Sequence, residues 1–457
     1  MEPNNDLSVE ERVARAKVPG KKSPAMHAFY RGKVETALKC SINSVDDFGI
    51  WYTPGVAVPC QEIHEDPSKA IEYTNKANAI AVVSDGSRVL GLGNIGPMAA
   101  LPVLEGKALL FKYLGGVGAI PIALDTQDPD EIIQAVKWMA PGFGGINLED
   151  FSNPKCFTIL DRLREELDIP VWHDDQQGTA SITLAGVINA VKLVGKDLDK
   201  VTYCVVGSGA ANIAFVRILI RAGVPAANII LVDSKGILHA GREDLEADKL
   251  ANPYKWQYAL ETNADGRTGC MAAAIAGSDV LIAASKPGPD TIKKEWLTSM
   301  NTDAVAFVMA NPTPEIWPWE AKAAGVRIVG TGRSDFPNQI NNSIGFPGIF
   351  RGALDVFAKT ITDEMAIAAA YSIAKTAEDK GLSEEHIVPS MMDTDVFINE
   401  AVAVGLKAIE QGIARRVLSA DELRAEAEVK ILHAQAETQS LMKAGIIAPA
   451  PEITIDS

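Results

Sequence analysis

Apolar residues in the segment 144–179 form two short runs with a helical pattern between them. The runs at 146–148 and 169–172 have the length of strands. Between them, apolar residues recur at helical spacing, namely Ile159, Leu160, Leu163 and Leu167. The segment therefore predicts a strand, a helix and a second strand, with the two strands parallel and adjacent.

Each of these predicted strands is followed by a pair of acidic residues. Glu149 and Asp150 follow the first strand, and Asp174 and Asp175 follow the second. Because parallel neighbours end at the same edge of a sheet, we expect the four carboxylates to converge. Converging negative charges need a cation or bound protons, and oxygen ligands suit Mg²⁺ or Mn²⁺. The pattern indicates a divalent metal site, and the alternative is that these acids cap the following helices.

Strand-length apolar runs alternate with helical patterns along much of the chain, at intervals of about thirty residues. The predicted strands are 118–124, 145–148, 169–172, 201–206, 228–232, 279–284, 304–309 and 326–330. This alternation is typical of a doubly wound parallel sheet, so the predicted fold class is α/β. Further helices are predicted in the first forty residues and from about residue 356 to 445, where Ala, Glu, Lys and Leu are frequent.

Three polar residues in the first quarter of the chain are candidates for chemistry. The apolar runs within 79–92 flank a Ser-Asp-Gly turn, which predicts a hairpin with Arg88 at its edge. Arg88 is either a solvated turn residue or a clamp for a carboxylate. Lys107 lies among apolar residues, where burial could lower its pKa enough for it to act as a base. Tyr52 precedes a Pro-Gly turn and is either a packing residue or a weak acid.

A glycine turn at residues 207–209 follows one predicted strand directly and precedes a helix. Gly207 and Gly209 match the first two glycines of G-x-G-x-x-G, and Asn212 replaces the third. Such a turn presents backbone N–H groups and a helix N-terminus to a pyrophosphate. It predicts a dinucleotide site, the alternative being a structural turn that binds no ligand.

The next predicted strand ends in Asp233, at the position where an acid binds the adenine ribose of NAD. The two residues that follow, Ser234 and Lys235, could instead bind the 2′-phosphate of NADP. The sequence therefore leaves the choice between NAD and NADP open. Replacement of Ser234 or Lys235 is expected to affect NADP more than NAD.

Composition narrows the class of protein. With 457 residues the chain predicts about two or three domains. Its formal net charge of −16, with no stripe of Lys and Arg, argues against a nucleic-acid partner. No apolar stretch is long enough to span a bilayer, and the polar N-terminus is unlike a secretory signal. Five scattered cysteines predict no disulfide framework and a reducing compartment, the cytoplasm or an organelle matrix.

Several motifs occur in an order that resembles the malic enzymes, in the small-subunit branch typical of microbes. They are YTPGVA at 52–57, SDGSRVLGLGNIG at 84–96, EGKA at 105–108, GGINLED at 144–150, HDDQQGTA at 173–180, ANPTPE at 310–315 and NNSIGFPG at 341–348. The resemblance extends from about residue 20 to about residue 410. It implies oxidative decarboxylation of (S)-malate to pyruvate and CO₂, with reduction of NAD(P)⁺ and a requirement for Mg²⁺ or Mn²⁺.

The resemblance also implies roles for individual residues. The metal ligands would be Glu149, Asp150 and Asp175; the general base Lys107, with Asp174 as its neighbouring carboxylate; and the general acid Tyr52. The substrate would be held by Arg88, Asn311 and Asn342. The cofactor would be held by Gly207, Gly209, Ala210, Ala211, Asp233, Ser234, Lys235 and Asn311. These roles agree with the chemistry, which needs a base at the C2 hydroxyl, a hydride acceptor and a Lewis acid.

The resemblance implies an N-terminal malic domain at 16–152, a Rossmann-type NAD(P)-binding domain at 163–390 and a C-terminal helical segment at 391–457. It also implies a homodimer or higher homo-oligomer. Two alternatives for function remain at this point. One is a malolactic enzyme, which converts malate to lactate and CO₂ with bound NAD. The other is a nucleotide-binding protein whose active site has decayed.

Overall fold

The computed structural model describes residues 9–454, which form helices and two sheets. The helices are α1 (Val9–Tyr30), α2 (Val45–Trp51), α3 (Ala57–Glu65), α4 (Lys69–Tyr73), α5 (Pro97–Gly115), α6 (Pro129–Met139), α7 (Lys155–Glu166), α8 (Thr179–Leu193), α9 (Ala210–Arg221), α10 (Glu243–Ala247), α11 (Pro253–Glu261), α12 (Met271–Ile275), α13 (Lys294–Leu297), α14 (Pro318–Ala323), α15 (Phe346–Asp355), α16 (Asp363–Asp379), α17 (Thr394–Glu410) and α18 (Ala420–Lys443). The strands are β1 (Ala79–Ser84), β2 (Gly118–Ala123), β3 (Gly145–Leu148), β4 (Val171–His173), β5 (Tyr203–Val206), β6 (Ile229–Asp233), β7 (Gly236–Ile237), β8 (Val280–Ala283), β9 (Val305–Val308) and β10 (Ile328–Thr331). Short helical turns lie at Asn75–Asn78, Ala140–Gly142, Asp174–Gly178, Ala226–Asn228 and Asn342–Ile344.

The smaller sheet has the strand order β2-β1-β3-β4, and its strand pairs are parallel. Helix α7 joins β3 to β4, which confirms the prediction made for 144–179. Leu148 at the end of β3 is paired with His173 at the end of β4. Both strands therefore end at one edge of the sheet, and the acidic residues that follow them start from adjacent positions.

The hairpin predicted at 79–92 is wrong. β1 is an inner strand with parallel neighbours on both sides, and all six of its residues are buried. The second apolar run forms a loop, in which Val89 and Gly93 make an isolated antiparallel bridge. The prediction failed because a short apolar run has the same appearance in a buried parallel strand and in a hairpin arm.

The larger sheet has the strand order β10-β9-β8-β5-β6-β7 and is parallel except for β7, which is antiparallel to β6. The order reverses at β5, which lies between β6 and β8. In such sheets, ligands bind beyond the carboxyl ends of the strands at this reversal. The doubly wound α/β fold is confirmed, although the predicted series of strands is divided between two sheets.

The C-terminal helices return over the body of the protein, as predicted for 356–445. α16 packs on α8, α17 packs on α15 and α16, and α18 reaches α5 beside the smaller sheet. At the start of α18, Ser419 accepts a hydrogen bond from the backbone N–H of Glu422, whose carboxylate accepts one from the backbone of Ser419. This reciprocal cap satisfies N–H groups that a helix start leaves without partners.

The N-terminal segment makes little contribution to the core. Of the helix predicted for the first forty residues, α1 spans Val9–Tyr30, and residues 1–8 lie outside the described residues. The helix ends where Arg31 and Gly32 take φ angles of 55° and 119°. The next three helices, α2, α3 and α4, contain no buried residue. Among the described helices, none is both long enough and apolar enough to cross a membrane.

Candidate active site

Three carboxylates converge beyond the ends of β3 and β4. Each of Glu149, Asp150 and Asp175 offers one oxygen, and these oxygens lie within 4.8 Å of one another. Glu149 and Asp150 are each 2% exposed. Asp175 accepts a hydrogen bond from the backbone N–H of Asp150 at 2.8 Å, whereas the buried Oδ2 of Asp150 has no hydrogen-bond partner among the described residues. None of the acids is an N-cap of α7 or α8, which begin after Pro154 and Gly178, although Asp174 and Asp175 lie in the first turn of the short helix Asp174–Gly178.

Asp150 is fixed by the loop that follows β1. Its φ angle is 58°, in the left-handed region that residues other than glycine rarely occupy. The backbone N–H of Arg88 donates to its carbonyl oxygen at 2.9 Å, and that of Leu90 donates to its carboxylate at 3.4 Å. Non-glycine residues in this region cluster at functional sites, where the surroundings hold them.

Lys107 in α5 reaches the same acids from the opposite side. Its ammonium forms an ion pair with Asp174, lies 3.3 Å from the carboxylate of Glu149 and lies 4.6 Å from the centre of the Phe346 ring. Burial favours the neutral amine, but the negative charges of Asp174 and Glu149 outweigh it and raise the pKa of Lys107. The expectation of a lowered pKa is therefore wrong, because the carboxylate that was expected beside Lys107 is present and, together with that of Glu149, outweighs burial.

The acids themselves hold protons more tightly than usual. Burial, reinforced by the charge of Asp175, raises the pKa of Asp150 to about 8. Burial also raises the pKa values of Glu149, Asp174 and Asp175. A cluster of buried oxygen donors that resist ionisation together, one of them without a hydrogen-bond partner, has the composition expected of a site for a hard divalent cation.

Of the three predicted substrate residues, Arg88 and Asn342 lie near this cluster, and Asn311 lies near the loop that holds Asp150. Arg88 is exposed, and its positive charge partly offsets the rise in the pKa values of Asp150 and Asp175, so it lies close to both. Asn342 packs beside Gly178, where an added Cβ would meet the side chains of Asn342 and Asp174. Asn311 lies beyond β9, and its carbonyl oxygen is so close to Gly91 that a Cβ there would overlap it.

Tyr52 is not brought to the cluster. It lies at the C-terminal end of α2 and is 72% exposed. Its backbone is bonded to Phe48 and Val56. In the described part of the chain, no hydrogen bond, ion pair or ring contact links its side chain to another predicted catalytic residue. Of the predicted catalytic residues, the structure thus brings together Lys107 and Asp174.

The glycine turn lies at the reversal point of the larger sheet. Gly207 has a φ angle of 101°, and α9 begins at Ala210, immediately after Gly209. Asn212, at the position of the third glycine, is buried and donates from its side chain to the carbonyl oxygens of Val206 and Gly207, at 2.7 and 3.0 Å. Asn212 therefore holds the turn in place through these two hydrogen bonds. Asn153, near the acidic cluster, donates to the carbonyl oxygen of Ser208 at 3.3 Å.

Asp233 ends β6 beside this turn, but its carboxylate is already occupied. Arg242 donates to both of its oxygens at 3.2 Å, and Lys255 donates to Oδ2 at 2.6 Å. The side chain of Lys235 is 66% exposed and forms an ion pair with Asp244. Sequence reasoning did not identify Arg242 or Lys255, because both lie well beyond the strand and within no motif.

Sequence reasoning also missed Glu315. This residue is fully buried, and it accepts hydrogen bonds from Ser285 beyond β8 and from the backbone N–H of Ala310 beyond β9. Burial raises its pKa to about 7. Glu315 joins two strand ends next to Asn311. Its place in the ANPTPE motif, as an acid among apolar residues, was the available signal.

Two family models cover most of the chain. The model described as "Malic enzyme, N-terminal domain" matches residues 31–164, and the model described as "Malic enzyme, NAD binding domain" matches residues 176–409. Among curated relatives, the "NAD-dependent malic enzyme" of Geobacillus stearothermophilus is 51% identical over 84% of this chain and 78% of its own length. The "Bifunctional malic/malolactic enzyme" of Bacillus subtilis is 47% identical, over 87% of this chain and 95% of its own.

Solved structures of the same family superimpose closely. The malic enzyme of Entamoeba histolytica matches with a TM-score of 0.94 and 44% identity, over 98% of this chain and 93% of that one. The malic enzyme of Pyrococcus horikoshii matches with a TM-score of 0.86 and 52% identity, over 90% of this chain and 95% of that one. A relative named "NADP-dependent malic enzyme", from Halomonas elongata, is 40% identical over 84% of this chain and 92% of its own length.

Proposed function

The chain belongs to the malic enzyme family, and on that premise we propose that its acidic cluster and its glycine turn together carry out oxidative decarboxylation of malate. It is an NAD(P)-dependent oxidoreductase that converts (S)-malate to pyruvate and CO₂. Measured turnover of malate with Mn²⁺ would exclude the alternative of a decayed nucleotide-binding protein. The proposal concerns which residues of this chain do the work.

The metal would be held by Glu149, Asp150 and Asp175. Support comes from the mutual distance of their oxygens and from the buried Oδ2 of Asp150, which has no hydrogen-bond partner among the described residues. A Mg²⁺ or Mn²⁺ held by these residues would supply positive charge that polarises the C2 oxygen of the substrate and weakens the hold of the acids on the proton of Lys107.

Lys107 is the proposed base, and Asp174 is its positioning partner. The ion pair with Asp174 fixes Lys107 at the edge of the cluster. After its ammonium has released a proton to solvent, the neutral amine can take the proton of the C2 hydroxyl. Arg88, which is exposed next to the acids, is suited to bind a substrate carboxylate through two parallel hydrogen bonds. The amides of Asn311 and Asn342 can donate to substrate oxygens from the other side of the cleft.

The dinucleotide would lie across the carboxyl edge of the larger sheet. Gly207, Gly209, Ala210 and Ala211 form the turn and the first residues of α9, where N–H groups point to the pyrophosphate. NAD(P)⁺ supplies the hydride acceptor for C2. The link between Asn153 and Ser208 supports this arrangement, because it ties the loop near the acids to the nucleotide turn.

The single observation that carries the proposal is the convergence of Glu149, Asp150 and Asp175. We expect chelated protein to lose malate turnover, and Mn²⁺ to restore it. Asp175→Asn should weaken Mn²⁺ binding by more than about 100-fold, the upper range for changes outside the ligand shell. Electron paramagnetic resonance of free Mn²⁺ measures that affinity without turnover. The control is Asp168→Asn, since the side chain of Asp168 is 75% exposed and pairs with Arg415. Unchanged Mn²⁺ affinity in Asp175→Asn, or undiminished turnover after chelation, would overturn the assignment.

Malolactic activity is the second candidate, favoured by the name of the relative from Bacillus subtilis. The two reactions share malate, metal and nicotinamide but differ in their products. Release of reduced cofactor together with pyruvate supports the malic reaction. Lactate formed without net reduced cofactor supports the malolactic one. Both products can be measured in the same reaction mixture.

We also propose a homodimer in which Tyr52 acts in the active site of the partner chain. The general acid must reach the substrate, yet Tyr52 is 72% exposed and has no contact with the acidic cluster of its own chain among the described residues. A second copy that covers α2 and α3 would both bury this tyrosine and deliver it. We further propose that the protein is cytoplasmic. We also propose the domain boundaries at 152, 163 and 390 that the resemblance implies.

A further inference from the structure

The fully buried carboxylate of Glu315 binds the loops that follow two neighbouring strands. Its Oε1 accepts hydrogen bonds from the backbone N–H and the hydroxyl of Ser285 after β8, at 2.7 and 3.0 Å. Its Oε2 accepts one from the backbone N–H of Ala310 after β9, at 3.1 Å. The carbonyl oxygen of Glu315 also accepts from the backbone N–H of Ile292 at 3.0 Å, which ties it again to the segment after β8. One residue thus sets the spacing between these two loops.

The loop after β8 lies directly against the glycine turn. A Cβ added at Gly207 would come within 2.7 Å of the carbonyl oxygen of Ala284 and within 3.2 Å of the Cβ of Ser285. A dinucleotide bound in such a sheet lies across the point where the strand order reverses. With its adenosine end on the side of β6, its nicotinamide end lies on the side of β8 and β9. The two loops that Glu315 joins therefore belong to the nicotinamide half of the site.

Asn311, a proposed substrate residue, belongs to the second of these loops. It follows Ala310 directly, so the hydrogen bond from Ala310 to Glu315 holds the backbone next to it. Gly91 of the loop after β1 lies close to both loops, since an added Cβ would overlap the carbonyl oxygen of Asn311 and come within 2.9 Å of Pro287. A displacement of one loop relative to the other would disturb these contacts as well as the hydrogen bonds of Glu315.

We infer that Glu315 is a positioning residue for hydride transfer, because it holds the loop beside the glycine turn at a fixed distance from Asn311. The inference rests on the proposed function and adds a residue to it. Glu315 is fully buried and acts through Ser285 and Ala310 rather than on the substrate. Reacting atoms must lie about 3–3.5 Å apart, and a displacement of about 1 Å can cost about 100-fold in rate.

Glu315→Gln and Asp279→Asn form a matched pair of variants, in which an amide replaces an acid. In Glu315→Gln, the amide has one acceptor oxygen and cannot accept from both loops. Asp279 directly precedes β8, at the opposite edge of the same sheet. It accepts from the backbone N–H and the hydroxyl of Thr202 at 2.9 and 3.1 Å, as Glu315 does from Ser285. Both variants should lose stability against urea, whereas Glu315→Gln alone should alter the nicotinamide half of the site.

Calorimetry on the full-length protein without malate tests the inference without turnover. The probes are the cofactor that the wild-type protein uses, NAD⁺ or NADP⁺, and the corresponding ADP-ribose, which lacks nicotinamide. In Glu315→Gln, Kd for the cofactor should rise by about 3- to 10-fold, whereas Kd for the ADP-ribose should change by less than about 1.5-fold. The glycine turn keeps its own support from Asn212. Asp279→Asn should change neither value. Equal changes for both probes in Glu315→Gln, or no change, would overturn the inference.

Stopped-flow kinetics with Mn²⁺ and saturating malate measure the hydride step itself. The first turnover, followed by the absorbance of reduced nicotinamide, should be about 10- to 100-fold slower in Glu315→Gln. Malate with deuterium at C2 should slow it further, which identifies the step as hydride transfer. Asp279→Asn should keep the wild-type rate, and a wild-type rate in Glu315→Gln would refute the inference. If Glu315→Gln does not fold, as circular dichroism would show, Glu315→Asp decides by the same criteria, because its side chain is one methylene shorter and cannot reach both loops.

Failure of this inference and failure of the proposed function give different results. A wild-type protein that oxidises no malate contradicts the proposed function, and the calorimetry still decides the inference. A wild-type protein that oxidises malate no faster than Glu315→Gln contradicts the inference and leaves the malic reaction intact.

Discussion

At the scale of single residues, the site depends on the loop after β1, which contacts residues that follow strands of both sheets. The loop after β1 holds Asp150 through the backbone N–H groups of Arg88 and Leu90. The next residue, Gly91, lies close to the carbonyl oxygen of Asn311 beyond β9. The same short loop thus holds Asp150, a proposed metal ligand, and lies beside Asn311, a proposed substrate residue that follows a strand of the larger sheet.

Replacement of Gly91 by alanine should therefore impair catalysis. An added Cβ would overlap the carbonyl oxygen of Asn311 and come within 2.9 Å of Pro287. Overpacking of this kind costs about 1–3 kcal/mol, so we expect kcat/KM for malate to fall by about 10- to 100-fold. Gly142→Ala is the matched control, because a Cβ at Gly142 meets nothing within 4 Å. Equal kinetics for both variants would show that the contact has no role.

The acids were predictable from sequence, whereas the protonation of Lys107 was not. Strand-end acids converge because parallel strands end at one edge, and this follows from local pattern alone. The pKa of Lys107 depends on how many carboxylates surround it, and those come from two separate loops. The cations at Asp233 were equally hidden, since Arg242 precedes α10, Lys255 lies in α11, and neither belongs to a motif.

At the scale of elements, the strand ends of the larger sheet are joined by side chains. Glu315 links the end of β8 to the end of β9 through Ser285 and Ala310. The fold class and most strands were predicted from alternating patterns. The division into two sheets and the inner position of β1 were not predicted. A local pattern indicates a strand, but packing decides which strands pair with it.

Glu315 makes stability depend on pH. Its folded pKa of about 7 lies above the ordinary value for glutamate, so the folded state binds a proton that the unfolded state releases. Stability should therefore fall as pH rises from about 4.5 to 7, by about 3 kcal/mol from this residue. In Glu315→Gln this contribution should disappear, although the amide cannot accept all the same hydrogen bonds. Urea denaturation at several pH values measures it, and parallel pH profiles of the two proteins would refute it.

At the scale of the whole molecule, the N-terminal segment presents an apolar surface to solvent. The most exposed large apolar residues within 29–101 include Leu38, Val45, Ile50, Trp51, Tyr52, Val58, Leu92 and Met98, each more than half exposed. A monomer rarely exposes so many large apolar residues in one part of its chain. Since α2, α3 and α4 contain no buried residue, the proposed second copy would cover this surface together with the exposed Tyr52.

Mixed dimers test whether Tyr52 acts in the partner's site. Tyr52→Phe and Lys107→Ala should each be nearly inactive as pure proteins. If Tyr52 acts on the partner, a dimer of one variant with the other contains one site with both native residues. Co-expression should then restore about a quarter of wild-type activity, since about half of the dimers are mixed and each has one intact site of two. No recovery, with mixed dimers confirmed by mass spectrometry, would place Tyr52 in its own chain's site.

The left-handed backbone conformation of Asp150 means that a substitution there could raise thermal stability while it lowers activity. Glycine would adopt a φ of 58° without the steric penalty that an aspartate bears there. A laboratory selection for thermal stability alone would consequently favour glycine at this position, and the selected proteins would be more stable but would lack a proposed metal ligand.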